Sequence, residues 1–161
     1  MQVDIAIERS LSVPLAYERV VPLLDDLEGT IRRFPKLKRL TRLGERAYLW
    51  EMQTIGSRLA KIAHDVSYAA RYRVDPSRGL LSWEPLSGHG NARIEGAFRL
   101  AREGEHTRLD FAVRGELYDV PVPLMYRPLA PPFIQGKFTR LVDTFLERTR
   151  AALLEAKPRR Q

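Results

Sequence analysis

Polar side chains set among apolar alternations are the residues of this chain best placed to do chemistry. Arg9 falls on the same parity as Ile7 and Leu11, His64 lies between Ile62 and Val66, and Thr54 follows Met52. A guanidinium or imidazole on a dry face must find partners, because leaving it unpaired costs several kcal/mol or shifts its pKa. In one reading, Arg9 and His64 are polar anchors that orient a carboxylate, phosphate or carbonyl on a largely apolar ligand. His64 could also act as an acid or base, with the hydroxyls of Tyr68 and Tyr72 on its parity. In the other reading, His64 is a core histidine bonded to a backbone carbonyl, and Arg9 sits near a strand end and reaches solvent. A β-bulge would turn either side chain to the wet face, since one extra residue reverses parity.

Other chemistries lack their residues. The chain has no cysteine, which excludes disulfides, thiolate catalysis, zinc-thiolate sites and iron–sulfur ligation. His64, His89 and His106 are isolated, without His-x-His or His-Glu-x-x-His spacing, so no metal site is expected. There is no Gly-x-Ser-x-Gly elbow, and Gly88-His89-Gly90 is too short for a dinucleotide or phosphate-binding loop. No cofactor is expected, no catalytic residue is assigned, and Asp119 faces the cavity mouth in one reading and is a strand-end cap in the other.

The elements that must position Arg9 and His64 are legible in the periodicity. Val3 to Val13 alternates as a half-buried strand. Tyr17, Val20, Val21 and Leu24 follow at helical spacing, and Pro22 with Asp25–Asp26 breaks the run before a second short helix from Asp26 to Phe34. From Ala47 onward about seventy residues alternate. Turn signals punctuate them at Ile55-Gly56-Ser57, Asp75 to Gly79, Gly88 to Asn91 and Glu103 to His106. The dry parity carries Tyr48, Trp50 and Met52, then Ala60, Ile62, Val66, Tyr68, Tyr72 and Val74. It continues through Leu81, Trp83, Ala92, Ile94, Phe98 and Leu100 to Leu109, Phe111, Val113 and Leu117. One dry and one wet face predict an antiparallel sheet covered on one side. A proline-rich connection, Leu117 to Phe133, precedes a long amphipathic helix from Ile134 to about Ala156, with Phe138, Leu141, Val142 and Phe145 on its apolar stripe.

A chain of 161 residues, 44% hydrophobic and 29% charged, is one ordinary soluble domain. The acidic, alternating start carries no secretory signal, and nowhere do about 18 apolar residues run together, so a cytoplasmic protein is expected. The net charge of +7 is concentrated: Arg32 to Arg46 holds seven basic residues against Glu45 alone, and Lys157 to Gln161 adds three more. Base-stacking aromatics are missing from the basic segment, which contains only Phe34 and is split by Pro35, so nucleic acid is not the expected partner.

A strand, two short helices, a long antiparallel meander and a closing helix call for a curved sheet wrapped around that helix. In this order, and in DIAIERSLSVPLAYERVVPLLDD, the Phe34-Pro35 pair, Gly96 within ARIEGAFRL, HTRLDFAV and the closing helix, the chain resembles the START-like, Bet v 1-like superfamily of polyketide cyclases and lipid-transport proteins. The resemblance spans residues 3 to 156 and implies an α+β helix-grip fold, a single domain over 1–157 and a basic tail at 158–161. It further implies a cavity between sheet and helix that takes a lipid, isoprenoid quinone or polyketide-like molecule. The expected ligand-binding residues are Arg9, Trp50, His64, Tyr68, Tyr72 and Trp83, joined by Phe98, Phe111, Phe138, Leu141 and Phe145. Arg39 and Arg42, on a basic rim, are candidates for contact with anionic headgroups at a membrane surface. The leading expectation is a non-enzymatic carrier or sensor. The alternatives are a cyclase or dehydratase in which His64 or a tyrosine moves protons, and a nucleic-acid or protein-binding module using residues 32–46.

Overall fold

The period-2 pattern at the start of the chain becomes β1 (Val3–Val13), whose residues Val3, Ile5, Ile7 and Val13 are buried. A computed structural model describes residues 1–57, 59 and 61–155. Ala60, the end of the closing helix at Ala156 and the basic tail lie outside the described residues. After β1 come α1 (Tyr17–Val20), a 3-10 turn (Val21–Leu24) begun by Pro22, and α2 (Leu27–Arg32). Asp26 caps α2 by accepting the Gly29 N–H at 3.2 Å, as a short acidic side chain does for an otherwise unpaired first-turn donor.

The meander follows as β2 (Leu37–Gly44), β3 (Ala47–Met52), β6 (Ser67–Asp75), β7 (Leu80–Gly90), β8 (Ala92–Glu103) and β9 (His106–Leu117). Between β3 and β6, β4 (Ile55–Ser57) and β5 (Ile62–His64) form a separate hairpin. The main sheet is antiparallel with strand order β1-β9-β8-β7-β6-β3-β2. The closing helix, α3 (Ala130–Glu155), buries Ile134, Phe138, Leu141, Val142, Phe145, Leu146 and Leu153 against the sheet's dry face. This is the helix-grip arrangement of the α+β class.

Two polar devices fix α3 at the β1 edge. The Gln135 side-chain amide acts as a surrogate strand: its Nε2 donates to the Ala6 carbonyl at 2.8 Å and its Oε1 accepts the Ala6 N–H at 3.1 Å. Farther along, Arg9 Nε donates to Asp143 Oδ1 at 2.8 Å.

Four sequence expectations are corrected. Residues 37–44, read only as a basic stretch, are a strand, and a register shift between Leu37 and Arg39 hides its alternation. Ile55-Gly56-Ser57 is the strand β4 and not a turn. Gly88 and Gly90 sit at positive φ inside the end of β7, which leaves Asn91 alone between β7 and β8. The closing helix begins at Ala130 and not at Ile134, because Pro131 and Pro132 occupy its first turn, where a missing N–H breaks no intrahelical bond.

Candidate functional site

An apolar cavity of about 60 Å³ lies between the sheet and α3, with α2 closing one side. The period-2 parity of the strands sends Trp50, Tyr68, Tyr72, Trp83, Phe98 and Phe111 into its wall, and the stripe of α3 adds Phe138 and Phe145. These eight are among the residues expected from the sequence. The sequence reading missed the contribution of α2, which brings Thr30 and Ile31 and, just beyond its end, Phe34. Helical spacing over 27–34 already carried that signal, since Thr30 and Ile31 fall one turn from Leu27 and Phe34 two turns.

Hydrogen bonds tie α2 to the preceding 3-10 turn on one side and to β3 of the sheet on the other. The Thr30 hydroxyl donates to the Leu23 carbonyl at 3.1 Å, and the Tyr48 hydroxyl donates to Glu28 Oε1 at 2.9 Å. Phe34 then reaches Trp50, with ring centroids 5.6 Å apart in an edge-to-face pair, and Phe145 at 5.5 Å. From Phe145 the contacts run to Phe111 at 5.6 Å, to Trp83 at 5.8 Å and to Tyr72 at 5.8 Å. Tyr72 closes the circuit by accepting the Trp50 Nε1–H at 2.9 Å. Six rings thus form a closed belt, its five ring–ring contacts within the range where aromatic pairs gain about 0.5–1.5 kcal/mol beyond simple burial. Tyr68 stacks on Trp50 at 5.2 Å and adds a seventh ring.

The wall holds no charged side chain among the described residues. Its polar atoms are few. The Thr30 hydroxyl is committed to Leu23, whereas the Tyr68 hydroxyl has no hydrogen-bond partner among the described residues. Burial pushes both Tyr68 and Tyr72 well above the ordinary phenol value, since a phenolate there would lose its water. Both stay neutral hydroxyls across the physiological range.

Three expected residues lie outside this wall. Arg9 has the parity expected of it, opposite Phe111 in the β1–β9 register, but β1 is the outermost strand and the guanidinium runs past the edge to Asp143. Its side chain is 42% exposed. Leu141 is buried in the core but is not among the residues that line the cavity. His64 belongs to the β4–β5 hairpin and lines a separate surface hollow with Thr54, Asp65, Asn91 and Asp119. Burial alternates through Ile62, His64, Val66 and Tyr68, but residues 65–66 interrupt the strand, so His64 sits on the β4–β5 hairpin and not on the main sheet with Tyr68. The His64 ring is bonded to the Tyr118 backbone, its Nε2 has no partner among the described residues, and burial lowers its pKa against the opposing pull of Asp65 and Asp119.

Arg39 and Arg42 stand exposed on β2, far along the sheet from β1. Arg39 faces Glu51 at 3.7 Å, and Arg42 donates to the Gly44 carbonyl at 3.1 Å. No group of histidine and carboxylate side chains among the described residues is arranged to hold a metal ion. No described helix is long and apolar enough to cross a membrane.

No family model matches the chain, and no curated protein matches its sequence. Solved structures do. The Zhui aromatase/cyclase from Streptomyces superposes with a TM-score of 0.66 at 14% identity, covering 94% of each chain. A START superfamily protein from Mycobacterium smegmatis gives 0.66 at 10% identity over 94% of this chain and 99% of that one. Norcoclaurine synthase from Thalictrum flavum, in complex with dopamine and hydroxybenzaldehyde, gives 0.60 at 12% identity over 98% and 91%. With its meander gripping α3 over nearly the whole chain, as in these proteins, the chain is START-like and Bet v 1-like in fold.

Proposed function

We propose that the chain binds a hydrophobic small molecule in the belted cavity, as a carrier or sensor and not as an enzyme. The observation that carries this reading is the wall itself: closed by aromatic rings, uncharged, and still holding about 60 Å³ of space. That exceeds the roughly 10–15 Å³ needed for one water-sized probe, and an apolar void stays dry. It also falls below the ~150 Å³ of a dry cavity that admits benzene and well below the ~300–1,000 Å³ of pockets for drug-sized ligands, so a guest larger than a few heavy atoms must displace side chains of the wall. The complex of norcoclaurine synthase with dopamine and hydroxybenzaldehyde supports compact aromatic guests for this fold.

The aromatase/cyclase fold match favours a second reading, in which the pocket shapes a reactive chain. General acid–base catalysis works best with a group that titrates near neutral pH. In this wall the titratable groups are tyrosines raised by burial, and His64 faces a different hollow. Those placements favour binding.

Native mass spectrometry of the purified protein tests the proposal. The expected result is a population carrying a noncovalent small-molecule adduct that collisional activation releases. A bare chain whose unfolding temperature is raised by no member of a panel of compact aromatic compounds would overturn it.

A further inference from the structure

Among the described residues, every side chain of the cavity wall is buried except that of Phe34. Phe34 is partly exposed, whereas no other lining residue exceeds 9%. Its ring therefore has the void on one side and solvent on the other. It is also the one ring of the belt carried by neither a strand nor a helix, since it stands in the turn between α2 and β2. The backbone there is tied on both sides: the Phe34 N–H donates to the Ile31 carbonyl at 2.9 Å, and the Lys36 carbonyl accepts the Gln53 N–H at 2.8 Å. Pro35 between them has its φ fixed by its own ring. What is free to turn is the phenyl, about its Cα–Cβ bond, and it leaves apolar contacts with Trp50 and Phe145 when it does so.

We infer that Phe34 is the gate of the cavity: its phenyl swings outward to admit a guest and so sets the size of guest that enters. The inference rests on the binding function proposed above and names the residue that yields. The departing phenyl vacates the place of one six-membered ring, so that place and the void of about 60 Å³ together take a guest that the closed wall excludes. Trp83 and Val113, the next most exposed lining residues at 9%, reach the outer face of the sheet beside Gly96. A guest entering there would have to part the paired backbones of β8 and β9, where Gly96 sits opposite Val113. Displacing Phe34 parts no backbone pair.

The test uses benzene, titrated into the nitrogen-15-labelled full chain. The indole Nε1–H resonances of Trp50 and Trp83 report occupancy, and their exchange line shapes give the association rate. In the wild type, saturation with benzene should erase the nuclear Overhauser contact between the Phe34 and Trp50 rings and keep that between Phe98 and Phe111. Phe34→Ala should take up benzene at least about tenfold faster than the wild type, because the contacts that hold the gate shut are gone. Phe138→Ala opens space at a wall ring only 3% exposed, and should bind benzene more tightly but take it up no faster. The milder pair Phe34→Leu and Phe138→Leu gives the same comparison if an alanine variant does not fold. A Phe34–Trp50 contact that survives in the benzene-bound wild type, or equal acceleration by the Phe34 and Phe138 variants, overturns the gate and leaves cavity binding standing. Benzene binding that appears only in a truncated chain makes Phe34 a fixed part of the wall and also overturns the gate. Failure of benzene to bind the wild type and every variant overturns the cavity reading itself.

Discussion

The indole of Trp50 and the phenol of Tyr72 are joined by a 2.9 Å hydrogen bond in which each partner is 5% exposed. Tyr72→Phe keeps the ring but opens the belt at its hydrogen-bonded joint and strands the Trp50 N–H. Burying an unpaired donor costs about 1–3 kcal/mol, so urea unfolding should show a loss in that range. A loss below about 0.5 kcal/mol would mean that the indole has found another acceptor.

Arg9 and Asp143 meet at 2.8 Å with side chains 42% and 47% exposed. An ion pair so open to water is worth about 0–1 kcal/mol. Arg9→Ala should therefore lower stability by no more than that in a denaturant titration, and the loss should shrink further in high salt. Probe binding in the cavity should be unchanged, and a marked fall in binding would return Arg9 to the site.

His64 gives a pH dependence of defined sign. Burial lowers its pKa in the folded chain, so below about pH 6.5 the unfolded chain takes up a proton that the folded one refuses. Stability should be full above that pH and decline as the pH falls from there to the folded-state pKa, below which this contribution no longer changes. His64→Gln should flatten that stretch of the curve. Denaturant midpoints measured at half-unit steps would reveal it, and a wild-type curve that rises on acidification through this window contradicts the assignment.

Gly96 has no room for a side chain. A Cβ there would lie 2.4 Å from Trp83 Cζ2 and 2.5 Å from the Ala112 carbonyl oxygen. The indole can yield only by moving into the cavity that it lines, and the backbone oxygen cannot yield cheaply. Gly96→Ala should cost about 1–3 kcal/mol, the usual range for overpacking. It should also weaken probe binding and shift the Trp83 indole resonance. Wild-type stability with unaltered binding would contradict this geometry.

The cavity wall was legible wherever a strand ran regularly and lay inside the sheet. Trp50, Tyr68, Tyr72, Trp83, Phe98 and Phe111 all follow from parity because each belongs to an inner strand. Arg9 shows the limit of that rule: its parity is right, but an outermost strand lets a long side chain leave the core past the last backbone. His64 fails for another reason. Parity counts residues without seeing where a strand is interrupted, and residues 65–66 separate His64 from the strand that carries Tyr68. The strand β2 was hidden because a register shift set Leu37, Leu40 and Leu43 at a helical spacing, so the charge of the segment stood out and its backbone did not. Phe34 was visible as a residue, but its reach to Trp50 and Phe145 depends on how α2 is pinned by Thr30 and Tyr48, which no local pattern encodes.

The two outer strands of the sheet are finished differently. Gln135 occupies backbone groups of β1, whereas β2, among the described residues, pairs only with β3 and carries exposed Lys38, Arg39 and Arg42. A bare outer strand is a template on which a second molecule can add its own, and a row of cations makes that addition repulsive. Much of the basic excess thus falls where it opposes aggregation, letting the sheet end at β2 without a cover.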